Sequence, residues 1–149
     1  MRNTKITAII IAIILIGLGI YFYTEKTEKE EMISLSLYIQ NKEVARTSDC
    51  GVTQKVTYQV PRTTAVADTS LKILFENELA RYGVYDSVSI SNGVAKVLLE
   101  SSNTPAGYPI GSLSSCESGH LLSVLNDTLT QYPTIKSVEI YSPEGKVEF

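Results

Sequence analysis

Cys116 and His120 stand four residues apart in the stretch "SLSSCESGH", the second of two cysteines and the only histidine in the chain. On a helix that spacing puts both side chains on one face. A cysteine at a helix N-terminus has its thiolate stabilised by the dipole and the free N–H groups, which is the chemistry of a nucleophile. A nucleophile also needs an oriented base and an oxyanion site, and one helical turn supplies neither. Zinc fares no better. A structural zinc site takes four cysteine and histidine ligands, whereas Cys50, Cys116 and His120 are all that this chain owns. His120 is therefore expected as a solvated or helix-edge side chain. The carboxylates Glu76, Glu78, Glu100 and Asp127 are of types expected on solvated faces, and nothing links them into an acid and a base. The residue inventory predicts no catalytic group, no metal site and no cofactor, hence no enzyme.

Those residues must be carried by a fold of limited size. The 149 residues have room for one folded domain and an appendage. Net charge is −3 and charged residues make up 19%, so there is no basic field to hold a phosphate backbone and no nucleic-acid partner is expected.

The appendage is N-terminal. Arg2 and Lys5 precede "ITAIIIAIILIGLGIYFY", residues 6–23, an uncharged apolar run about 27 Å long as a helix and so close to the thickness of a hydrocarbon core. It reads as a transmembrane anchor, with Tyr21 to Tyr23 in the interfacial belt. The basic residues before it and the acid-rich "TEKTEKEE" after it predict residues 1–5 in the cytoplasm and the rest outside. The competing reading is a cleaved signal, with residues 6–16 as its apolar region and Gly17 and Gly19 as small residues before a cut, although no A-x-A site follows. Under both readings the folded part is exported. Residues 24–32 form a charged tether and residues 33–149 the extracytoplasmic domain. In that compartment an even pair of cysteines is most simply a disulfide, Cys50 to Cys116, contributing about 4 kcal/mol by loop entropy.

Within the domain, "ISLSLYI" alternates so that Ile33, Leu35, Leu37 and Ile39 share one face of a strand, and "VTQKVTYQVP" offers a second strand ending at Pro61. "TTAVADTSLKILFENELARYG" predicts a helix with Ala67, Leu71, Leu74, Phe75 and Leu79 on one stripe and Gly83 as its stop. "VSISNGVAKVLLE" reads as a hairpin, because Asn92-Gly93 suits a two-residue turn with positive φ at both positions. A polar loop, "SSNTPAGYPIGSLSS", runs to a capping box at Ser114 and Glu117, followed by a helix with Leu121, Leu122, Leu125, Leu129 and Tyr132 on its apolar face and Pro133 beyond its end. "IKSVEIY" and "KVEF" complete the strands around a turn at Pro143 to Gly145. This order predicts an α+β fold with two helices packed on one face of a mixed or antiparallel sheet.

The segments "ISNGVAKVLLESS" and "LLSVLNDTLTQYPTIKSVEIYSPEG" resemble the GerMN domain, the sporulation and spore germination domain of bacterial envelope proteins; "SLYIQN" and "VPRTTAVADTSLKILFE" are similar to it as well. The resemblance covers about residues 33–149. It departs after the first helix, where the family's Leu-x-Gly-Pro is replaced by "ENELARYGVYDSV". Members with a cysteine before a "V.R.V..T" segment and another in a Gly-Ser-Cys stretch before the last helix correspond to Cys50 and Cys116, which supports pairing them. It carries no catalytic or ligand residue to this chain. What it implies is a non-enzymatic, membrane-anchored domain that assembles with envelope proteins or with copies of itself, in a setting that includes sporulation and germination. The alternative class is a small-ligand or cell-wall glycan-binding module using the Pro/Gly loop "SNTPAGYPIG", with Tyr108 and nearby Tyr85 as stacking surfaces, for which ordinary loop packing is the competing reading.

Overall fold

Asn92 and Gly93 have φ of 52° and 82° in the computed structural model, and Ser91 pairs with Val94 across them, so the expected two-residue hairpin turn is present. Residues 31–45 and 50–149 are described. The expected N-terminus 1–5, the anchor 6–23 and the tether up to residue 30 lie outside them. Among the described residues no helix is long and apolar enough to cross a membrane.

Met32–Phe149 forms one unit of α+β architecture. Strand β1 (Met32–Gln40) leads through a short helix α1 (Lys42–Ala45) to β2 (Thr53–Pro61). Helix α2 (Val66–Asn77) precedes the hairpin of β3 (Tyr85–Ser91) and β4 (Val94–Leu99). A 3-10 turn at Ile110–Ser112 and helix α3 (Ser115–Thr130) return the chain to β5 (Ser137–Ser142) and a two-residue β6 (Gly145–Lys146). The last strand is thus shorter than the expected "KVEF".

The expected sheet is divided in two. β1 and β2 form an antiparallel pair, while β3, β4, β5 and β6 form a mixed sheet in that order, with β4 and β5 parallel. On β1 the expected alternation is present: Leu35 and Leu37 are buried, and Ile33, Leu35 and Leu37 lie opposite Val60, Tyr58 and Val56. The division has a physical reason. The edge of β1 that faces away from β2 is satisfied by helix side chains instead of a strand: Gln131 Nε2 donates to Ser36 O (2.8 Å), Tyr38 N to Thr128 Oγ1 (3.0 Å) and Gln40 N to Glu78 Oε1 (3.3 Å). Residues 36, 38 and 40 present their backbone groups to one edge, so three side chains close it.

Both main helices touch both sheets, α2 through β1 and β3, α3 through β1, β2 and β5. That explains why α3 buries more than a narrow stripe, with His120, Leu121, Val124, Leu125, Thr128 and Leu129 all inside. One core joins Leu35 and Leu37 to Leu71 and Leu74 of α2, Leu121 and Leu125 of α3, and Val97 and Ile140 of the larger sheet. Helix α2 ends at Asn77, six residues short of the expected Gly83 stop. Glu78 N and Leu79 N both donate to Leu74 O, which loosens the winding, and the turn that follows buries Leu79 and Tyr82 completely. Gly83 lies in that turn and is buried, with room for a Cβ in ordinary contact with Leu99 and Ile110.

Candidate functional site

Helix α3 begins as its sequence dictates. Glu117 N donates to Ser114 Oγ at 3.3 Å and Ser114 N donates to Glu117 Oε2 at 3.0 Å, a reciprocal capping box that holds the Glu117 carboxyl below its usual range through the Ser114 hydrogen bonds. In the first turn of that helix Cys116 is exposed and pairs with Cys50, the Cα atoms 5.2 Å apart. Among the described residues no cysteine is free. The Cys50 end is held independently: Gln40 Nε2 donates to Cys50 O at 3.2 Å, and Asn41 N to Val52 O at 2.9 Å. A sulfur bound in this way offers no thiolate, and the nucleophile reading of Cys116 loses its reactive atom.

His120 corrects the expectation of a solvated or helix-edge side chain, because it is only 2% exposed. Its ring sits between α3 and the turn after α2. Nε2 lies 3.1 Å from Glu78 Oε1, and Nδ1 lies 2.8 Å from Tyr82 Oη and 3.0 Å from Arg81 Nη2. Arg81 Nη2 also donates to Tyr82 Oη at 2.5 Å, and its guanidinium lies over the Tyr82 ring at 4.7 Å. A carboxylate oxygen accepts, so Nε2 donates to Glu78 Oε1, while Tyr82 Oη and Arg81 Nη2 both stand within hydrogen-bond distance of Nδ1. Glu78 Oε1 takes the Gln40 N–H as well, which joins β1 to the network. Burial holds the His120 imidazole below its ordinary value; Glu78 draws it back up and Arg81 pushes it further down. Burial likewise pushes the Tyr82 phenol up, against the opposing effect of Arg81.

Sequence reasoning weighed Glu78 only as a surface carboxylate and missed Arg81 and Tyr82. A signal was present. His120 precedes Leu121 and stands one turn before Val124, inside the apolar face of α3, so it had to find buried partners.

The other candidates are dispersed. Asp127 accepts from Thr53 Oγ1 at 2.5 Å across α3 and β2, and Glu100 is exposed beyond β4. Glu76 lines a cleft of about 220 Å³ with Lys72, Phe75, Ala80, Val84 and Tyr85. Tyr85 belongs to that cleft, but its ring stacks on Phe75 at 5.7 Å and its hydroxyl donates to Asp68 at 2.7 Å. Burial, and then the Asp68 hydrogen bond, push the Tyr85 phenol far up. Tyr108 is 38% exposed and is not among the residues lining the cleft. Among the described residues no group of three or more histidine, cysteine, aspartate or glutamate side chains is placed to hold a metal ion. No protein-family model, no curated protein and no solved structure matches the chain.

Proposed function

We propose that this chain is a membrane-anchored, non-enzymatic extracytoplasmic domain of the GerMN type, which assembles with other proteins of the bacterial cell envelope or with copies of itself. The observation that carries the reading is the use made of the chemically capable residues. Cys50, Cys116 and His120 are all engaged in tying β1 and the segment after it to the helices. A bridged cysteine pair suits an exported domain, and the apolar residues 6–23 supply its anchor.

Assembly would use surfaces rather than a pocket. Among the described strands β2 and β3 each have one edge with no strand neighbour, and such edges accept an added strand from a partner. The test is cross-linking of the full chain in its membrane, with mass spectrometry of the products, together with protease access from the outer side. Cross-linked self-assemblies or complexes with defined envelope proteins support the reading. A domain that stays uncross-linked, or is digested only after the membrane is opened, overturns it.

A further inference from the structure

We propose that the free edge of β3 is a self-association site, on which a second copy of this chain adds its own β3 antiparallel, with Ser89 of each copy at the two-fold axis. The proposal rests on the assembly reading and names the partner and the register for it. Its basis is that β3 is the exception among the sheet edges. The outer edge of β1 is closed by Glu78, Thr128 and Gln131. β6 has two residues, one of them Lys146. On β2, Asn41 N donates to Val52 O in register with the β1 ladder, so residues 53, 55, 57, 59 and 61 present the free edge. There Lys55 and Pro61 are exposed, a charge and a missing N–H that blunt it.

β3 has neither guard. Ser91 and Val94 flank a two-residue turn and exchange both their hydrogen bonds, which leaves the backbone groups of Val88 and Ile90 pointing away from β4. Among the described residues no strand pairs with that edge and no loop or helix backbone group bonds it. Residues 87–91 carry no charge, and Ile90, apolar and β-branched, is 45% exposed. Val88 packs against the core, and Ile90 follows it on the same face beyond the core's reach.

The register follows from the two ends of the edge. The irregularity at Asp86 closes it on one side and the Asn92-Gly93 turn on the other, so the regular stretch is Ser87 to Ser91 and its centre is Ser89. Antiparallel pairing about that centre sets Val88 against Ile90 of the second copy, and Ile90 against its Val88. Each of these pairs exchanges two backbone hydrogen bonds and covers apolar surface. Ser89 meets Ser89, and Ser87 meets Ser91. A centre at Val88 would instead set Ile90 against the Asp86 carboxylate, and a centre at Ile90 would run Val88 into the turn at Asn92.

The test is oxidative cross-linking of Ser87→Cys, Ser89→Cys and Ser91→Cys variants of the full chain in its membrane, with copper–phenanthroline as oxidant and non-reducing gels as the readout. Cys50 and Cys116 are bridged, so the added thiol is the free one. Residues directly opposed in a non-hydrogen-bonded pair have Cα atoms about 4.5 Å apart, within disulfide reach, whereas two copies of residue 87 would stand about 13 Å apart. The expected result is a dimer from Ser89→Cys, about tenfold less from Ser87→Cys or Ser91→Cys alone, and recovery of the dimer when those two are co-expressed. Ile90→Lys, which supplies the missing guard charge, is expected to abolish the Ser89→Cys dimer. Equal cross-linking at all three positions, a dimer indifferent to Ile90→Lys, or no dimer from either Ser89→Cys or the co-expressed pair overturns the site. Complexes with other envelope proteins that persist in those membranes without the dimer leave the assembly function standing while this site falls.

Discussion

Cys116 and His120, one turn apart on α3, face different surroundings: the first is exposed and pairs with Cys50, and the second is 2% exposed against Glu78, Arg81 and Tyr82. Both lead back to the same short stretch of chain. Cys50 O accepts from the Gln40 side chain, and Glu78, the partner of His120, accepts from the Gln40 backbone. The end of β1 is thereby fastened through a covalent route and a polar one.

The covalent route predicts a measurable loss. Cys116→Ala opens a bridge between residues 66 apart in sequence, and is expected to lower stability by up to about 4 kcal/mol by the loop-entropy model. Thermal unfolding without reductant measures it, with peptide mapping of the unaltered chain to identify the bridge. An unchanged melting temperature would show that the pair is not a structural bridge.

The polar route predicts a pH dependence. The folded chain binds the His120 proton less readily than the unfolded chain does, because burial opposes the charge. Well above the ordinary value of about 6.5 the ring is neutral in the folded and the unfolded chain alike and stability is complete. As pH falls below that value the unfolded chain takes up a proton that the folded chain refuses, so stability declines until the folded ring also titrates. The Asp68 carboxyl, held low by its Lys72 and Tyr85 hydrogen bonds, gives up its contribution only at lower pH, through the carboxylate range. His120→Gln is expected to flatten the dependence of the urea midpoint between pH 7 and pH 5. Persistence of the slope in that variant would assign it to another group.

At the β1 edge, Thr128→Val keeps the side-chain shape and removes the acceptor of Tyr38 N. Thr128 is fully buried, so the unpaired N–H is expected to cost about 1–3 kcal/mol. Thr130→Val is the control. That residue is exposed and its hydroxyl bonds only the Asn126 carbonyl of its own helix, so its effect is expected within about 0.5 kcal/mol. Denaturant melts of the two variants should differ; equal losses would mean that the Tyr38 contact is not what closes the edge.

Two glycines are expected to respond in opposite directions to alanine. Gly93 has φ of +82° and its Cβ would meet the Lys136 side chain at 3.4 Å, so Gly93→Ala is expected to destabilise by about 1 kcal/mol. Gly119 lies within α3, and apart from its chain neighbours and the helix's own backbone nothing stands within 4 Å of an added Cβ, so Gly119→Ala is expected to stabilise by about 0.5–1 kcal/mol. Paired thermal melts check both signs, and a loss at Gly119 would point to a close contact on that face of α3.

The parts of this protein that its sequence determined are those set by neighbours in the chain. The Asn92-Gly93 turn, the Ser114 and Glu117 cap and the alternation of Leu35 and Leu37 each depend on backbone preferences or on a period of two, which a few consecutive residues express. Tertiary structure alone decided how those pieces share their unpaired groups. The division of the strands between two sheets depends on Glu78, Thr128 and Gln131 reaching β1 from distant positions, and no local pattern records that reach. The early end of α2 follows from burying Leu79 and Tyr82 together, which helical periodicity does not foresee. His120 is the plainest case. As a residue type it is at home in water or in the interior, and only the convergence of Glu78, Arg81 and Tyr82 supplies the hydrogen bonds that make its burial affordable.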